Sequence, residues 1–206
     1  MTSARLIWVA PNAEITMGYC ARVSNPANQD NPDVTKLLRH CIKKGHWSVF
    51  EMANMCVEIN TSIAISRQIL RHDFNFQEFS QRYSEVMSIE PIELRRQDHK
   101  NRQNSIDDLP KNVSESLSRD INDLMMQTKS LYQKLISHDV AKECARMILP
   151  MASSTRLYAS ATVRDWCHYL KLRSGNGTQK EHVEVAEAIM PIFAENFPLT
   201  TRAFFE

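Results

Sequence analysis

"NMCVEINTSIAISRQILRHDFNFQEFSQRYS" occupies residues 54–84, and its first part decides the fold. Across Asn54–Asn60 apolar and polar residues alternate with the period of two that suits a half-buried strand. The alternation then lapses, and residues 61–72 predict a short helix. A strand feeding a helix delivers the next segment at the helix C-terminal end. There, Arg67, Arg71 and Arg82 stand with His72, Asp73 and Glu78 among Phe74, Phe76, Phe79 and Tyr83. A solvated face does not need those rings, and a core segment does not tolerate those charges. The mixture suits a pocket for a ligand that is anionic and flat.

Working outward, "ARLIWVA" (4–10) reads as a strand closed by Pro11-Asn12, and "EITMGYCARVS" (14–24) as a helix ending near Ser24. Residues 25–32 form a loop. Asn31 then caps a helix that has Pro32 at its first position. Val34, Leu37, Leu38, Cys41 and Ile42 carry its helical spacing as far as Gly45. Residues 92–112 are polar and irregular, and predict an exposed excursion or flexible loop. Val113, Leu117, Ile121, Leu124, Leu131 and Leu135 mark a long amphipathic helix. Asp139 starts a short helix that Pro150 stops, and "STRLYASA" (154–161) is extended. Thr162 opens a helix to about Arg173, with Asp165 in a capping-box position. "SGNG" (174–177) turns the chain. Thr178 and Glu181 predict a second capping box for a helix through about 195, kinked near Pro191. No internal repeat occurs, and the mix is α/β with few, separated strands.

The 206 residues, 43% of them hydrophobic, predict one compact domain spanning 1–206 with a modest excursion. A formal charge of +1 leaves no bulk basic field for nucleic acid. No apolar run approaches membrane-spanning length, and the N-terminal stretch lacks a signal-peptide pattern. The expectation is a cytoplasmic protein without a membrane partner. Cys20, Cys41, Cys56, Cys144 and Cys167 are scattered, with no C-x-x-C pair, so they predict buried thiols and no metal site. Four glycines build neither a phosphate loop nor G-x-G-x-x-G. A bound nucleotide must then be gripped by side chains.

Three patches offer such side chains. The first is the stretch at 67–84. The second is Arg146 in "ECARMILP". The third, "TVRDWCHYLKLRSGNGTQ", carries Arg164, His168, Arg173 and Gln179, with 164 and 168 four apart on one helix face. Guanidinium forks suit phosphate or carboxylate, and several without net positive charge suit a small anion rather than a polyanion. Single arginines are otherwise surface or ion-pair residues. His40, His99 and His138 stand alone and read as surface or satisfied histidines.

The order and spacing of these patches resemble the flavin-dependent thymidylate synthases, the ThyX family, over nearly the whole chain. Residues 43–84 are similar to the family's G-H-x-S-x-x-E-H segment, a strand, R-Q-x-x-R-H-R and N/Q-E-x-S-x-R-Y. Residues 145–181 are similar to A-R-x-x-L-P, N-x-R, L-x-L-R and A-Q-x-E. The resemblance implies a twisted, mostly antiparallel sheet packed with long helices. It further implies a homotetramer with FAD at subunit interfaces, and reductive methylation of dUMP to dTMP with methylenetetrahydrofolate and NADPH as co-substrates. No cysteine follows a proline, as the unrelated classical synthase's nucleophile does.

Carried over residue by residue, the resemblance assigns Gln68, Arg71, Gln77, Glu78, Ser80, Arg82, Arg146 and Arg173 to dUMP. Arg82 and Arg146 would clamp phosphate, and Arg173 the uracil edge. Ser24, Arg71, His72, Asp73, Glu78, Arg164 and His168 match FAD positions, with Arg164 and His168 at the isoalloxazine. Arg173, Ser80 and His168 are the implied catalytic set. Three departures bear on the flavin and folate side. Asp73 replaces the third basic residue of R-H-R, with one residue fewer before Ser80. Met52 replaces a histidine and Thr162 an asparagine. They leave two alternatives to the dTMP-forming reading. One is a relative that makes 5-hydroxymethyl-dUMP or acts on dCMP; the other is a non-catalytic module that binds nucleotide or RNA.

Overall fold

The computed structural model describes residues 2–85, 88–175 and 177–206. Strands β1 (Ser3–Val9), β2 (Asn54–Ser62), β3 (Asn75–Glu78) and β6 (Ser154–Thr162) form one sheet in the order β1-β2-β6-β3, every pairing antiparallel. Alternation in β2 and β6 sends Met55, Val57 and Ile59 with Leu157, Ala159 and Ala161 to one face, where all are buried. Eight helices accompany the sheet among the described residues: α1 (Ala13–Ala21), α2 (Thr35–Lys44), α3 (Ile63–Ile69), α4 (Lys111–Ser137), α5 (Lys142–Ala145), α6 (Val163–Arg173), α7 (Lys180–Asn196) and α8 (Pro198–Phe204). Trp166 of α6 is fully buried, and its indole N–H donates to the Met55 carbonyl at 3.0 Å. That bond fixes α6 to the central strand. On the opposite sheet face Glu58, 5% exposed, pairs with Arg5 at 2.9 Å.

The two central strands each run directly into a helix through a hydroxyl cap. Ser62 closes β2 and accepts the Ile65 N–H, while Thr162 closes β6 and accepts the Asp165 N–H. Each hydroxyl satisfies a donor that the first helical turn leaves free. Because β2 and β6 are antiparallel, with Asn54 opposite Thr162 and Ser62 opposite Ser154, α3 and α6 start from opposite ends of the sheet. Their C-terminal ends nevertheless meet, since Arg173 donates to His72.

Several expectations need correction. The second helix does not start at Asn31-Pro32 but at Thr35. Buried Arg22 takes the Asn31 and Asp33 carbonyls, holding them outside the helix, and the Asp33 carboxylate accepts the Thr35 N–H instead. Thr178 and Glu181 form no capping box. Gln179 is the N-cap of α7, the Thr178 hydroxyl donates to the Leu172 carbonyl, and Arg95 and Gln179 occupy the Glu181 carboxylate. The polar stretch 92–112 carries a small hairpin, β4 (Arg96–Gln97) with β5 (Ser105–Ile106), and the Arg95 side chain is only 10% exposed. Cys41, Cys56 and Cys167 are buried free thiols, but Cys144 is exposed. Pro191 lies inside α7, which runs on to Asn196.

Two elements escaped the reading of the sequence. Strand β3 is short and pairs only with β6, and it turns Phe76 toward the core beside Phe74. Helix α8 has no local side-chain cap. The buried Glu14 carboxylate, remote in sequence, accepts the Leu199 and Thr200 N–H groups at its start.

Candidate functional site

At the joined ends of α3 and α6, Arg173 Nε donates to His72 Nε2 at 2.9 Å. The His72 ring stands edge-on to Tyr169, with centroids 4.8 Å apart. Burial, then the charges of Arg173 and Arg71, lower the His72 pKa to about 4, so this acceptor stays neutral. Behind it His182 is fully buried, between the Tyr169 hydroxyl at 3.1 Å and the Gln68 amide at 3.1 Å. Burial foremost, with Arg173 and His72 adding, takes its pKa to about 3. Gln68, Arg71, His72 and Arg173 thus converge.

Glu78 is engaged within the fold. Its carboxylate accepts from Ser66 and Thr155 hydroxyls and from Arg67, so it ties β3 to α3 and β6. Gln77 points from the exposed side of β3. Ser80 and Arg82 line a separate open cleft of about 440 Å³ with Tyr83, Ala141, Lys142 and Glu143. Arg82 is paired there with Glu143 at 2.9 Å. Arg146 opens the 3₁₀ turn after α5, where its carbonyl accepts the Leu149 N–H, and its side chain has no hydrogen-bond partner among the described residues.

Arg164 and His168, four apart on α6, share a third open cleft of about 640 Å³ with Glu51, Met52, Asp73, Thr162 and Asp165. All three departures from the family pattern therefore line the same cleft. Thr162 and Asp165 are occupied with each other, their side chains 2.5 Å apart. Arg164 pairs with Glu51. Asp73 has no ion-pair partner among the described residues. The indole of Trp47 packs on His168 at 4.8 Å and on Phe204 at 5.3 Å. Arg164 also borders an adjoining cleft of about 650 Å³ lined by His40, His46 and Trp47. His40 is exposed, as expected of a surface histidine. Its ring lies 6.2 Å from that of His46. His138 caps α4, contacting the Lys134 carbonyl. Ser24 sits exposed in the loop after α1 and lines none of these clefts.

The sequence reading missed Tyr169, His182 and Trp47. Each was legible only as a position on a helix or turn, not as part of a motif. No group of three or more His, Cys, Asp or Glu side chains placed to hold a metal ion occurs among the described residues. No helix among them is long and apolar enough to cross a membrane.

An antiparallel sheet whose two central strands each launch a helix gathers arginine, histidine and amide groups where those helices end, a set of side chains suited to a small anion without a glycine loop. The chain belongs to the thymidylate synthase complementing protein family, whose description matches residues 5–199. A probable flavin-dependent thymidylate synthase of Paramecium bursaria Chlorella virus 1 is 48% identical over 194 residues, covering 93% of this chain and 90% of that one. The flavin-dependent thymidylate synthase of Synechocystis is 49% identical over 188 residues, covering 91% and 87%. Among solved structures, the UMP/dUMP methylase PolB of Streptomyces cacaoi, bound with 5-Br dUMP, superposes with a TM-score of 0.87. It is 24% identical over 100% of this chain and 95% of that one, a likeness in fold.

Proposed function

We propose that the protein is a cytoplasmic flavin-dependent thymidylate synthase, one domain per chain, that methylates dUMP to dTMP. Near-half identity over nine-tenths of the chain to relatives bearing that name is the observation that carries the reading. The convergence of Gln68, Arg71, His72 and Arg173 supports it, because a neutral histidine that accepts from Arg173 leaves the rest of the guanidinium free for a pyrimidine oxygen. Arg82, with Ser80 beside it, and Arg146 supply cations suited to the nucleotide phosphate. Gln77 and Glu78 flank them on β3.

The clefts bordered by Arg164 suit FAD. They combine cations with the flat faces of Trp47 and His168, as an anionic aromatic group requires. Arg164 and His168 would hold its ring system, with Ser24, Arg71, His72, Asp73 and Glu78 at its margins. When bound, the flavin supplies the electrons, drawn from NADPH, while methylenetetrahydrofolate supplies the carbon. The protein's share is to orient these groups and keep them in register.

The residues assigned to nucleotide and flavin line different open clefts of one subunit. That favours sites completed by neighbouring subunits, in a homotetramer. Leu117, Leu124 and Leu131, seven apart on α4 and all exposed, offer an apolar seam for such contact.

Purified protein should be yellow and should release dTMP from dUMP when given methylenetetrahydrofolate and NADPH. Colourless protein that FAD does not reconstitute would sink the proposal. The confinement of Asp73, Met52 and Thr162 to one cleft favours a second reading, in which the carbon or base acceptor differs. Mass spectrometry of the product separates them, because 5-hydroxymethyl-dUMP or methylated dCMP would each replace dTMP.

A further inference from the structure

We propose that His182 is a positioning residue for nucleotide binding: buried behind the site, it locks the Gln68 amide with its N–H groups outward, toward an oxygen acceptor of the substrate. The inference rests on the assignment of Gln68 to dUMP.

A run of hydrogen bonds fixes the polarity of that amide. It begins at Glu181, which Arg95 grips at 2.6 Å. Burial alone would raise the Glu181 pKa, but the hydrogen bonds from Arg95 and others prevail and lower it. An ionised carboxylate only accepts, so Gln179 must turn its NH₂ to Glu181, at 2.9 Å. The Gln179 carbonyl oxygen then faces Gln68 and accepts from its NH₂ at 2.7 Å. That leaves the Gln68 carbonyl oxygen facing His182 Nδ1 at 3.1 Å. An oxygen there requires a proton on Nδ1, so Nε2 of the neutral ring is the acceptor for the Tyr169 hydroxyl, at 3.1 Å. Every group has one orientation that satisfies its neighbours, and a flipped Gln68 would set oxygen against oxygen at Gln179.

The outcome is directional. With its carbonyl oxygen turned inward to His182 and one N–H on Gln179, Gln68 turns its remaining N–H outward. It thus selects an oxygen acceptor, as uracil and phosphate provide, against an amino group. His182 touches no ligand in this arrangement; it acts through Gln68.

Two substitutions separate its two hydrogen bonds. An asparagine amide nitrogen falls near the place of Nδ1, so His182→Asn keeps the donor to Gln68. A glutamine amide reaches the place of Nε2, so His182→Gln keeps the Tyr169 contact and loses that donor. Each leaves one buried partner unmatched, so similar losses of thermal stability are expected. FAD-loaded protein should keep dUMP affinity within roughly threefold in His182→Asn and lose roughly tenfold in His182→Gln, read as Kd and KM with kcat little changed. Equal affinity in the two variants, whether both retained or both lost, overturns the proposal. Gln68→Ala runs alongside. If it weakens dUMP while the two His182 variants match, the His182 role fails and the site reading stands. If Gln68→Ala binds dUMP as the parent does, the assignment of Gln68 fails, and the proposal with it.

Discussion

Acidification should unfold this protein through His182 before its carboxylates are protonated. In the folded chain His182 is fully buried and titrates at about 3, against an ordinary value of 6.5. A depressed histidine pKa means that the unfolded chain binds the proton more tightly, so stability is complete above about pH 6.5 and is lost as the pH falls toward the folded value. At pH 5 the unfolded ring is about 97% protonated and the folded ring is almost wholly neutral, which costs about 2 kcal/mol relative to neutral pH. This cost depends on the unfolded value alone as long as the folded one lies well below 5. His72, at about 4, has the same sign and by the same linkage adds nearly as much over the same window. Protonating it also removes the acceptor for Arg173. Urea unfolding at fixed subunit concentration should give midpoints that drop between pH 7 and pH 5 with little change in slope. The decisive comparison is His182→Asn, which starts less stable but should lose about 2 kcal/mol less over the same interval. An identical pH 7 to pH 5 loss in parent and variant would refute the reasoning.

Single contacts yield further tests. A Cβ added at Gly18 would lie 2.1 Å from Val34 Cγ1. Gly18→Ala should therefore cost about 1–3 kcal/mol despite the roughly 1 kcal/mol gained in helix propensity, and an unchanged melting temperature would contradict the close approach of α1 to Val34. Arg82→Ala and Arg173→Ala should each weaken dUMP by about 1.5–3 kcal/mol, at least tenfold in Kd; unaltered titration curves would remove both from the site. Asp73→Arg should tighten FAD several-fold in fluorescence titration if the carboxylate opposes the diphosphate, and equal affinity would show that it faces elsewhere. Leu124→Glu should shift light-scattering mass toward smaller species, whereas an unchanged mass would clear the α4 seam of any role in assembly.

The sequence revealed those features whose cause is local. Alternation in 54–60 found one central strand, 154–161 read as extended and is the other, and hydroxyl capping with Asp165 found the start of α6. What it missed was decided by partners far along the chain. Arg22 displaced the start of α2, Arg95 drew Glu181 out of a capping box, and Glu14 made α8 possible from 185 residues away. Strand β3 escaped because four residues on a sheet edge show too little alternation to outweigh the charges around them. Of the two places open to the rings of Phe74 and Phe76, walling the pocket or packing behind it, the fold takes the second, and the Glu78 carboxylate is engaged within the chain. His182 carried no motif signal, because its importance lies in the polarity of a hydrogen-bond run that closes only in three dimensions.

Asp73 gains a sharper meaning from its place in the fold. Its cleft holds three carboxylates, but Glu51 is matched by Arg164 and Asp165 is held by Thr162. Of the three, Asp73 alone has neither an ion pair nor a side-chain hydrogen bond among the described residues. Across the chain turn after α3, Arg71 and His72 belong to the cluster around Arg173, while Asp73 belongs to the cleft of His168. One step along the backbone therefore separates a cationic region from one with aromatic walls and a free negative charge. The first suits phosphate and a pyrimidine oxygen. The second, with Arg164 and His168 beside Asp73, suits the ring system of the flavin more than its diphosphate. On that division, the acid at 73 need not spoil a phosphate grip, since it lies beside the ring system rather than beside Arg71, and the charge reversal in Asp73→Arg is the change that would extend phosphate affinity into the same cleft.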